Sequence, residues 1–207
     1  WRWMTAADFF RFPHTPHLAW LEEGSPRDDK VLLPNEVTVL LGGDVVVEEK
    51  LDGANDRLSL TPDGCLRAQN RGQYLAEPHA GQFARLPAWL AQHDEALRSV
   101  LISNLILFGE WCAARHSLDY AALPDWFLLF DVYDRDEGRF WSVARRNELA
   151  SKAGLATVPK VFQGKTTLDS LKRLLIETQS EYRDGPIEGL VIRRESFGWC
   201  DSRAKLV

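Results

Sequence analysis

Residues 45–55 read VVVEEKLDGAN, and this stretch decides the fold. The β-branched run at its start predicts a strand over residues 45–49, and Asp52-Gly53 predicts a tight turn soon after it. On the simplest interpretation, the turn joins this strand to a second strand over residues 57–60. A third strand over residues 65–70 would then complete an antiparallel meander.

Lys50 stands at the end of the first strand, where it is either an ordinary strand-end residue or a nucleophile. Lysine is common at strand ends and Asp-Gly is common in hairpins, so the motif alone does not assign a function. A lysine amine is a nucleophile only when deprotonated, which from a reference pKa of ~10.4 costs roughly 4 kcal/mol near neutral pH. Nearby cations or burial lower that cost. A catalytic role for Lys50 therefore requires other segments to supply cations, and a phosphate for the amine to attack.

The composition describes a globular protein with a single domain, which we place at residues 1–207. Of the 207 residues 45% are hydrophobic and 27% are charged, and no apolar run approaches the ~20 residues of a membrane-spanning helix. Three widely spaced cysteines without a Cys-x-x-Cys pair favour a reducing compartment, and we expect a cytoplasmic monomer. The net charge of −5 argues against a protein that merely coats nucleic acid. Basic residues still cluster at 145–146, 193–194 and 203–205, so a basic groove remains compatible with the acidic total.

The remaining elements predict an α+β fold, with antiparallel sheets and helices packed outside them. Apolar residues at helical spacing predict a helix over residues 81–101, with His93 packed on its buried stripe. Two apolar runs, at residues 105–111 and 126–133, predict strands buried on both faces. The other expected elements are a charged loop over residues 24–36, a helix capped by Ser142 that ends at Gly154, a helix from Thr166 or Thr167 to about Tyr182, a strand over residues 187–194 and a terminal segment at 204–207.

Charged side chains recur at the ends of the later strands. Glu110 ends one apolar run, Asp131 lies near the end of another, and Glu188 stands at the mouth of the last strand. Lys205 lies in an apolar context at the end of the chain. Each of these alone is usually solvated or salt-bridged. As a set, with Lys50, they supply a nucleophile, acids able to hold a divalent metal and a second cation to neutralise phosphates, which is what nucleotidyl transfer requires.

The segments around these residues resemble the six ordered motifs of the covalent nucleotidyltransferases. That superfamily comprises ATP-dependent ligases, NAD-dependent ligases and messenger-RNA capping enzymes. The matching segments are Lys50-x-Asp52-Gly53-x-Asn55, Arg71-Gly72, Phe108-Gly109-Glu110, Phe130-Asp131, Glu188-Gly189-Leu190-Val191 and Lys205. One such motif is a weak signal, whereas six in order over residues 45–207 are a strong one. The resemblance implies an ATP-grasp-like nucleotidyltransferase domain.

Within the superfamily, Asn55 favours the RNA ligases, because DNA ligases and capping enzymes usually carry arginine at that position. The Phe-Gly-Glu form of the third motif and the proline-rich opening with Thr15-Pro16-His17 are similar to bacterial and phage RNA ligases. The chain is thus identified as the adenylyltransferase domain of an ATP-dependent RNA ligase, an activity of RNA repair. Its expected substrates are ATP and RNA ends that carry a 5′-phosphate and a 3′-hydroxyl. The sequence leaves open whether the RNA is a nicked duplex, a tRNA loop or a single strand.

The resemblance also implies catalytic roles for individual residues. Lys50 would attack the α-phosphate of ATP to form a lysyl-AMP, and Lys205 would neutralise phosphate charge. Glu188 would hold Mg²⁺ or Mn²⁺. Asn55 would act in the later steps, near the 3′-hydroxyl.

The nucleotide would be held by a second group of residues. Glu110 resembles the residue that binds the ribose hydroxyls, and Phe130 resembles the aromatic that stacks on adenine, although core packing is a nearly equal alternative for Phe130. Arg71 would contact phosphate or ribose as a planar fork. The full set of implied nucleotide-binding residues is Glu48, Glu49, Arg71, Glu110, Phe130 and Lys205.

Two departures from the family pattern bear on the activity. Val207 stands where the last motif usually has a second basic residue, and a C-terminal nucleic-acid-binding domain is absent from these 207 residues. Complete sealing therefore depends on more than the motifs that support self-adenylation. The alternatives are a DNA ligase, a GTP-dependent capping-type nucleotidyltransferase and a non-catalytic RNA-binding module.

Overall fold

The computed structural model describes residues 9–26, 28–75 and 80–207. Within these ranges the chain forms ten strands and four α-helices, which confirms the predicted α+β class. The strands are β1 (Val45–Lys50), β2 (Ala54–Leu60), β3 (Leu66–Gln69), β4 (Leu105–Trp111), β5 (Phe127–Asp134), β6 (Arg139–Trp141), β7 (Ala156–Thr157), β8 (Lys160–Gly164), β9 (Gly189–Ser196) and β10 (Trp199–Leu206). The helices are α1 (Pro34–Leu40), α2 (Leu86–Val100), α3 (Val143–Ala153) and α4 (Leu168–Glu177), and a 3₁₀ turn over Gly81–Phe83 precedes α2. None of these helices combines the length and the apolar character needed to cross a membrane.

The strands join into one sheet with the hydrogen-bonded order β3-β2-β4-β5-β6-β10-β9-β1-β8, and β7 lies beside β5. Among the pairs of named strands, only β5 with β7 is parallel, so the predicted antiparallel arrangement is confirmed. The short strand β6 connects two halves. We call β3, β2, β4 and β5 the β4 half, and β10, β9, β1 and β8 the β1 half.

Each half of the sheet packs its own hydrophobic core. In the β4 half, the buried side chain of Leu107 belongs to a cluster that includes Leu97 of α2 and Leu149 of α3. In the β1 half, Val47 belongs to a second cluster that includes Leu171 of α4. The helices therefore cover the sheet from outside, as the sequence predicts. α2 and α3 contribute to the first core, and α1 and α4 contribute to the second.

The turn after β1 does not form the hairpin that the sequence suggested. β1 pairs with β8 and β9, whereas β2 pairs with β3 and β4, so residues 51–53 cross from one half of the sheet to the other. The predicted meander is therefore wrong in its first connection and correct in its second. The physical reason is that Val47 and Leu58 belong to separate cores, which no two-residue hairpin can serve together. Gly53 is needed at the crossing, because a Cβ there would lie 2.8 Å from the carbonyl oxygen of Trp111.

The predicted caps of the two later helices are confirmed. α3 begins after Ser142, whose hydroxyl accepts from the N–H three residues further on, and it ends at Gly154 in the left-handed conformation with φ 65°. α4 begins after Thr167, whose hydroxyl caps the helix in the same way. It ends at Glu177 rather than near Tyr182, because the chain becomes extended at the next residue.

The short elements were not predicted from the sequence. α1 begins inside the segment 24–36 that was expected to be a charged loop. The strands β6, β7 and β8 have three, two and five residues, which is too few for an alternating pattern to stand out. By contrast, the long apolar run at residues 105–111 forms β4 with the predicted bounds.

Candidate functional site

A pocket of about 650 Å³ opens across the junction between the two halves of the sheet. Its lining includes residues of β2 and β4 on one side and of β1 and β10 on the other. The crossing segment 51–53 lines it as well. Eight of the nine residues that the sequence predicts line this pocket; they are Glu48, Glu49, Lys50, Asn55, Arg71, Glu110, Phe130 and Lys205. The ninth, Glu188, contacts Lys50 directly.

Lys50 and Glu188 form an ion pair between neighbouring strands. Lys50 Nζ donates to both carboxylate oxygens of Glu188, at 2.9 and 2.8 Å, and the two side chains are 31% and 29% exposed. The register that places Lys50 opposite Gly189 brings them together. A Cβ on Gly189 would clash with Val207 Cγ1 and with the carbonyl oxygen of Leu206, so the Glu-Gly order is required by packing. An ammonium group held in this way is not a nucleophile, so a nucleophilic role for Lys50 would require the pair to separate and Nζ to lose a proton.

Glu110 supplies a carboxyl group whose protonation depends on its surroundings. Its Oε1 accepts the Gly53 N–H at 3.1 Å, which ties the end of β4 to the crossing segment. Burial raises the pKa of Glu110 to about 7, although the Lys50 ammonium and the Gly53 N–H offset part of the rise. Both protonation states of Glu110 are therefore populated at neutral pH. In its charged form the carboxylate is an acceptor suited to hydroxyl groups.

Asp52 anchors the loop that follows β4. Its Oδ2 accepts from the Ser117 hydroxyl at 2.5 Å and from the Leu118 N–H at 3.0 Å. Its own N–H donates to the Tyr120 hydroxyl at 2.8 Å. Burial opposes ionisation of this carboxyl, but the hydrogen bonds from Ser117 and Leu118 outweigh it and lower the pKa of Asp52. The acid of the Lys-x-Asp-Gly motif thus has a local structural task in addition to lining the pocket.

The two glutamates before Lys50 have separate partners within the protein. Both carboxylate oxygens of Glu48 accept from the buried Arg146 guanidinium, at 2.8 and 2.6 Å. Glu49 accepts from the Ser180 hydroxyl at 2.6 Å, and burial raises the pKa of Glu49. The role of these two residues in nucleotide binding stays a prediction, since each carboxylate already has a partner.

A buried charge cluster lies beside Phe130, and its two arginines, Arg193 and Arg203, were not predicted as site residues. Asp131 accepts from Arg193 Nη1 at 2.8 Å and also from Arg203 Nη1, and all three residues line the pocket. Arg203 Cζ lies 4.1 Å from the centroid of the Phe140 ring, and burial lowers the pKa of Arg203 to about 9. The sequence carried a signal for it in the two clusters of basic residues. Arg193 and Arg203 lie directly opposite each other on β9 and β10, so both point to the same face.

Lys205 enters the pocket from β10 and already has an anionic partner there. Its Nζ donates to Asp29 Oδ2 at 3.3 Å, and His17 Nε2 lies 3.0 Å from the same oxygen. The hydrogen bond with His17 and the charge of Lys205 lower the pKa of Asp29. Since the Asp29 side chain is 45% exposed, an anion in the pocket would compete with it for Lys205.

Asn55 and Arg71 lie on the side of the pocket formed by the β2–β3 hairpin. Asn55 Oδ1 accepts from Arg57 Nε at 3.0 Å, and Arg57, which the sequence did not predict as a site residue, lines the pocket too. Burial, together with the like charges of Arg71 and Arg11, lowers the pKa of Arg57 to about 10. Cations therefore line both sides of the pocket, in separate groups.

The acidic residues fit a divalent ion that binds together with a nucleotide. No group of three or more His, Cys, Asp or Glu side chains in residues 9–26, 28–75 and 80–207 is arranged to hold a metal ion alone. Mg²⁺ usually keeps several waters and binds through one or two carboxylates plus substrate phosphates. Glu188 and Glu110, which both interact with Lys50, are carboxylates of that kind.

Comparison with known proteins gives a family match and a fold match. The family model for RNA ligase matches residues 43–207. The chain is similar to the structure of Naegleria gruberi RNA ligase with PPi and to a mutant of that enzyme with ATP and Mn, each with 21% identity and a TM-score of 0.68 over 84% of this chain and 52% of the other. Another mutant, with AMP and Mn, gives 20% identity and a TM-score of 0.64 over the same shares. The chain thus has their fold and spans about half the length of those proteins. A search of curated proteins found no significant match.

Proposed function

The chain belongs to the RNA ligase family, and from this premise we propose that it is an ATP-dependent RNA ligase that joins a 5′-phosphate to a 3′-hydroxyl. The observation that carries the proposal is the position of Lys50, at the junction of a pocket with separate groups of cations on its two sides. Such a reaction brings two different anions to one lysine, first the triphosphate of ATP, which Lys50 attacks, and then the 5′-phosphate of the RNA, which attacks the AMP bound to Lys50. Electrostatic stabilisation of these phosphates is the main task of the protein in nucleotidyl transfer.

In the first step Lys50 Nζ attacks the α-phosphorus of ATP. A P–N bond forms, the P–O bond to the β-phosphate breaks, and pyrophosphate leaves while the amine loses its proton. Lys205 and Arg203 would face the negative charge that develops on the phosphates. Mg²⁺ or Mn²⁺, when bound, would add further charge neutralisation, and Glu188 is the carboxylate we expect to hold it.

Glu110 and Phe130 would orient the nucleotide. Glu110 in its charged form would accept hydrogen bonds from the ribose hydroxyls, and its tie to the Gly53 N–H places it beside the crossing segment. Phe130 would stack on adenine, for which its half-buried position in the pocket wall is suitable. In the second step an oxygen of the RNA 5′-phosphate would attack the AMP phosphorus, and the P–N bond to Lys50 would break. In the third step the 3′-hydroxyl would lose its proton and attack the phosphorus of the RNA 5′-phosphate, and AMP would leave. Asn55 would contact the RNA on the hairpin side, and Arg71 would contact phosphate or ribose there.

Labelling of the protein with radioactive nucleotide tests the proposal. Wild-type protein with α-labelled ATP and Mg²⁺ or Mn²⁺ should acquire label, and Lys50→Ala should acquire none. Lys152→Ala is the matched control, because Lys152 also forms an ion pair with a glutamate, at 3.2 Å to Glu148, but on the exposed surface of α3. A 5′-phosphorylated RNA should then remove the label from the wild-type protein. Label from GTP in place of ATP, or equal labelling of Lys50→Ala, would refute the proposal.

A further inference from the structure

Arg57 differs from the other buried arginines of the protein in the partners it has. Arg146 and Arg193 pair with the buried carboxylates of Glu48 and Asp131, at 2.6 and 2.8 Å. Arg57 is just as buried, with 1% of its surface exposed, yet no carboxylate in the described part of the chain forms an ion pair with it. An unpaired buried charge is costly for stability, so its presence at a pocket wall requires another explanation.

The guanidinium of Arg57 is nevertheless held in one orientation. Nε donates to Asn55 Oδ1 at 3.0 Å, and Nη1 donates to the carbonyl oxygen of Phe10 at 3.1 Å. Its Cζ lies 5.2 Å from the centroid of the Phe108 ring. Nη2 is buried and has no acceptor among the described residues. The side chain is therefore fixed by neutral acceptors, with one donor left over.

This contact decides which way the amide of Asn55 points. A guanidinium has only donors, so the atom of Asn55 that faces Arg57 Nε must be the oxygen. The amide nitrogen is then directed away from Arg57, and it is the polar atom of Asn55 left to act on the pocket that this residue lines. Without Arg57, the two ends of the amide would have no such preference.

We infer that Arg57 is a positioning residue for the sealing step, which fixes the Asn55 amide so that its N–H groups donate to the phosphate at the RNA joint. The inference rests on the proposed function. The neighbouring charges support an anion at this place, because Arg71 and Arg11 lie close enough to lower the pKa of Arg57 after the effect of burial. The charge of the neighbouring Asp56 offsets only part of this effect, and none of the three arginines forms an ion pair among the described residues, which favours a phosphate over a neutral ligand.

The test is single-turnover sealing of an RNA strand that is already adenylated at its 5′ end, because this reaction bypasses Lys50. Arg57→Lys keeps the charge and loses the fork, so we expect sealing at least about 10-fold slower, and about as slow as in Asn55→Ala. The rate of self-adenylation with labelled ATP should fall by a much smaller factor in Arg57→Lys. The double variant of Arg57 and Asn55 should be no slower than the slower single variant, because both changes remove the same contact between Arg57 Nε and Asn55 Oδ1. Arg67→Lys is the control, since Arg67 also donates Nε to a side-chain oxygen, that of Ser59 at 3.1 Å, but does not line the pocket.

A thermal comparison tests the contact without any activity. In Asn55→Asp the new carboxylate pairs with the Arg57 guanidinium but has no N–H to donate. Its melting temperature should therefore exceed that of Asn55→Ala by a few degrees, while sealing is at least about 10-fold slower than in the wild type in both.

The outcomes separate the inference from the proposed function. Wild-type protein that takes no AMP from ATP and seals no adenylated RNA refutes the function, and the role of Arg57 with it. Wild-type protein that seals while Arg57→Lys seals at the same rate overturns the inference alone. The inference is also overturned if Asn55→Asp melts no higher than Asn55→Ala, or if Arg57→Lys slows self-adenylation as much as sealing.

Discussion

Replacing Glu110 with glutamine should change how the stability of the protein depends on pH. Burial raises the pKa of Glu110 from 4.5 to about 7, so the folded protein binds this proton more tightly than the unfolded chain does. The corresponding stability is fully present below pH 4.5 and is lost as the pH rises through about 7. Glutamine cannot ionise and resembles the protonated carboxyl, and its amide oxygen can still accept the Gly53 N–H. Glu110→Gln should therefore gain stability relative to the wild type as the pH rises.

The size of this gain follows from the same pKa. A rise from 4.5 to about 7, at about 1.36 kcal/mol for each pKa unit, corresponds to about 3 kcal/mol. Glu110 keeps partial contact with the solvent of the pocket, which screens the effect. We therefore expect the difference in the free energy of unfolding between Glu110→Gln and the wild type to grow by about 1–3 kcal/mol between pH 4.5 and pH 8.

Urea unfolding of both proteins at pH 4.5, 6 and 8 measures this difference. Glu148→Gln is a suitable control, because Glu148 is an exposed glutamate of α3 whose loss removes the same charge from the protein. Parallel stability curves for Glu110→Gln and the wild type across this range would refute the reasoning, since they would show that Glu110 titrates alike in the folded and unfolded states. A gain that appears on acidification instead would reverse the sign and refute it as well.

Three further predictions concern residues around the pocket. Arg146→Met should lower the free energy of unfolding in urea by about 3–5 kcal/mol, because it leaves the buried Glu48 carboxylate without its partner. Adding Glu48→Leu should recover most of the loss, and no recovery would contradict the explanation by an uncompensated charge. Asp29→Asn should tighten ATP binding, because Lys205 loses a competing anion, and labelling at increasing ATP concentration measures this. Weaker binding would mean that Asp29 instead holds Lys205 in place. Gly53→Ala should lower the free energy of unfolding, measured with urea, by the roughly 1–3 kcal/mol typical of overpacking, because its Cβ clashes at the crossing. An unchanged value would show that the segment can shift.

What the sequence predicted well was carried by long or chemically specific signals. The apolar run at residues 105–111 became β4 with the same bounds, and the cap at Ser142 was visible as a polar residue before a helical pattern. The next cap was narrowed to Thr166 or Thr167, and the structure has Thr167. The charge cluster of Arg193 and Arg203 escaped prediction, because a basic residue on an alternating strand is ordinary until its partner strand is known. Register is a property of two segments, and neither segment alone contains it.

The connection after Lys50 shows why the local pattern and the fold can disagree. Judged from its own residues, Asp52-Gly53 is a hairpin turn, and a two-residue loop is the commonest connection between paired neighbouring strands. The chain instead uses the segment to pass between two cores, and both Asp52 and Gly53 acquire distant partners. The Asp52 carboxylate holds the loop after β4, and the Gly53 N–H holds Glu110. Because Lys50 stands directly before this crossing, it lies where both halves of the sheet can contribute to one pocket. The spacing of Lys-x-Asp-Gly is thus set by the junction between the halves. A change that made this segment an ordinary hairpin would separate Lys50 from Glu110.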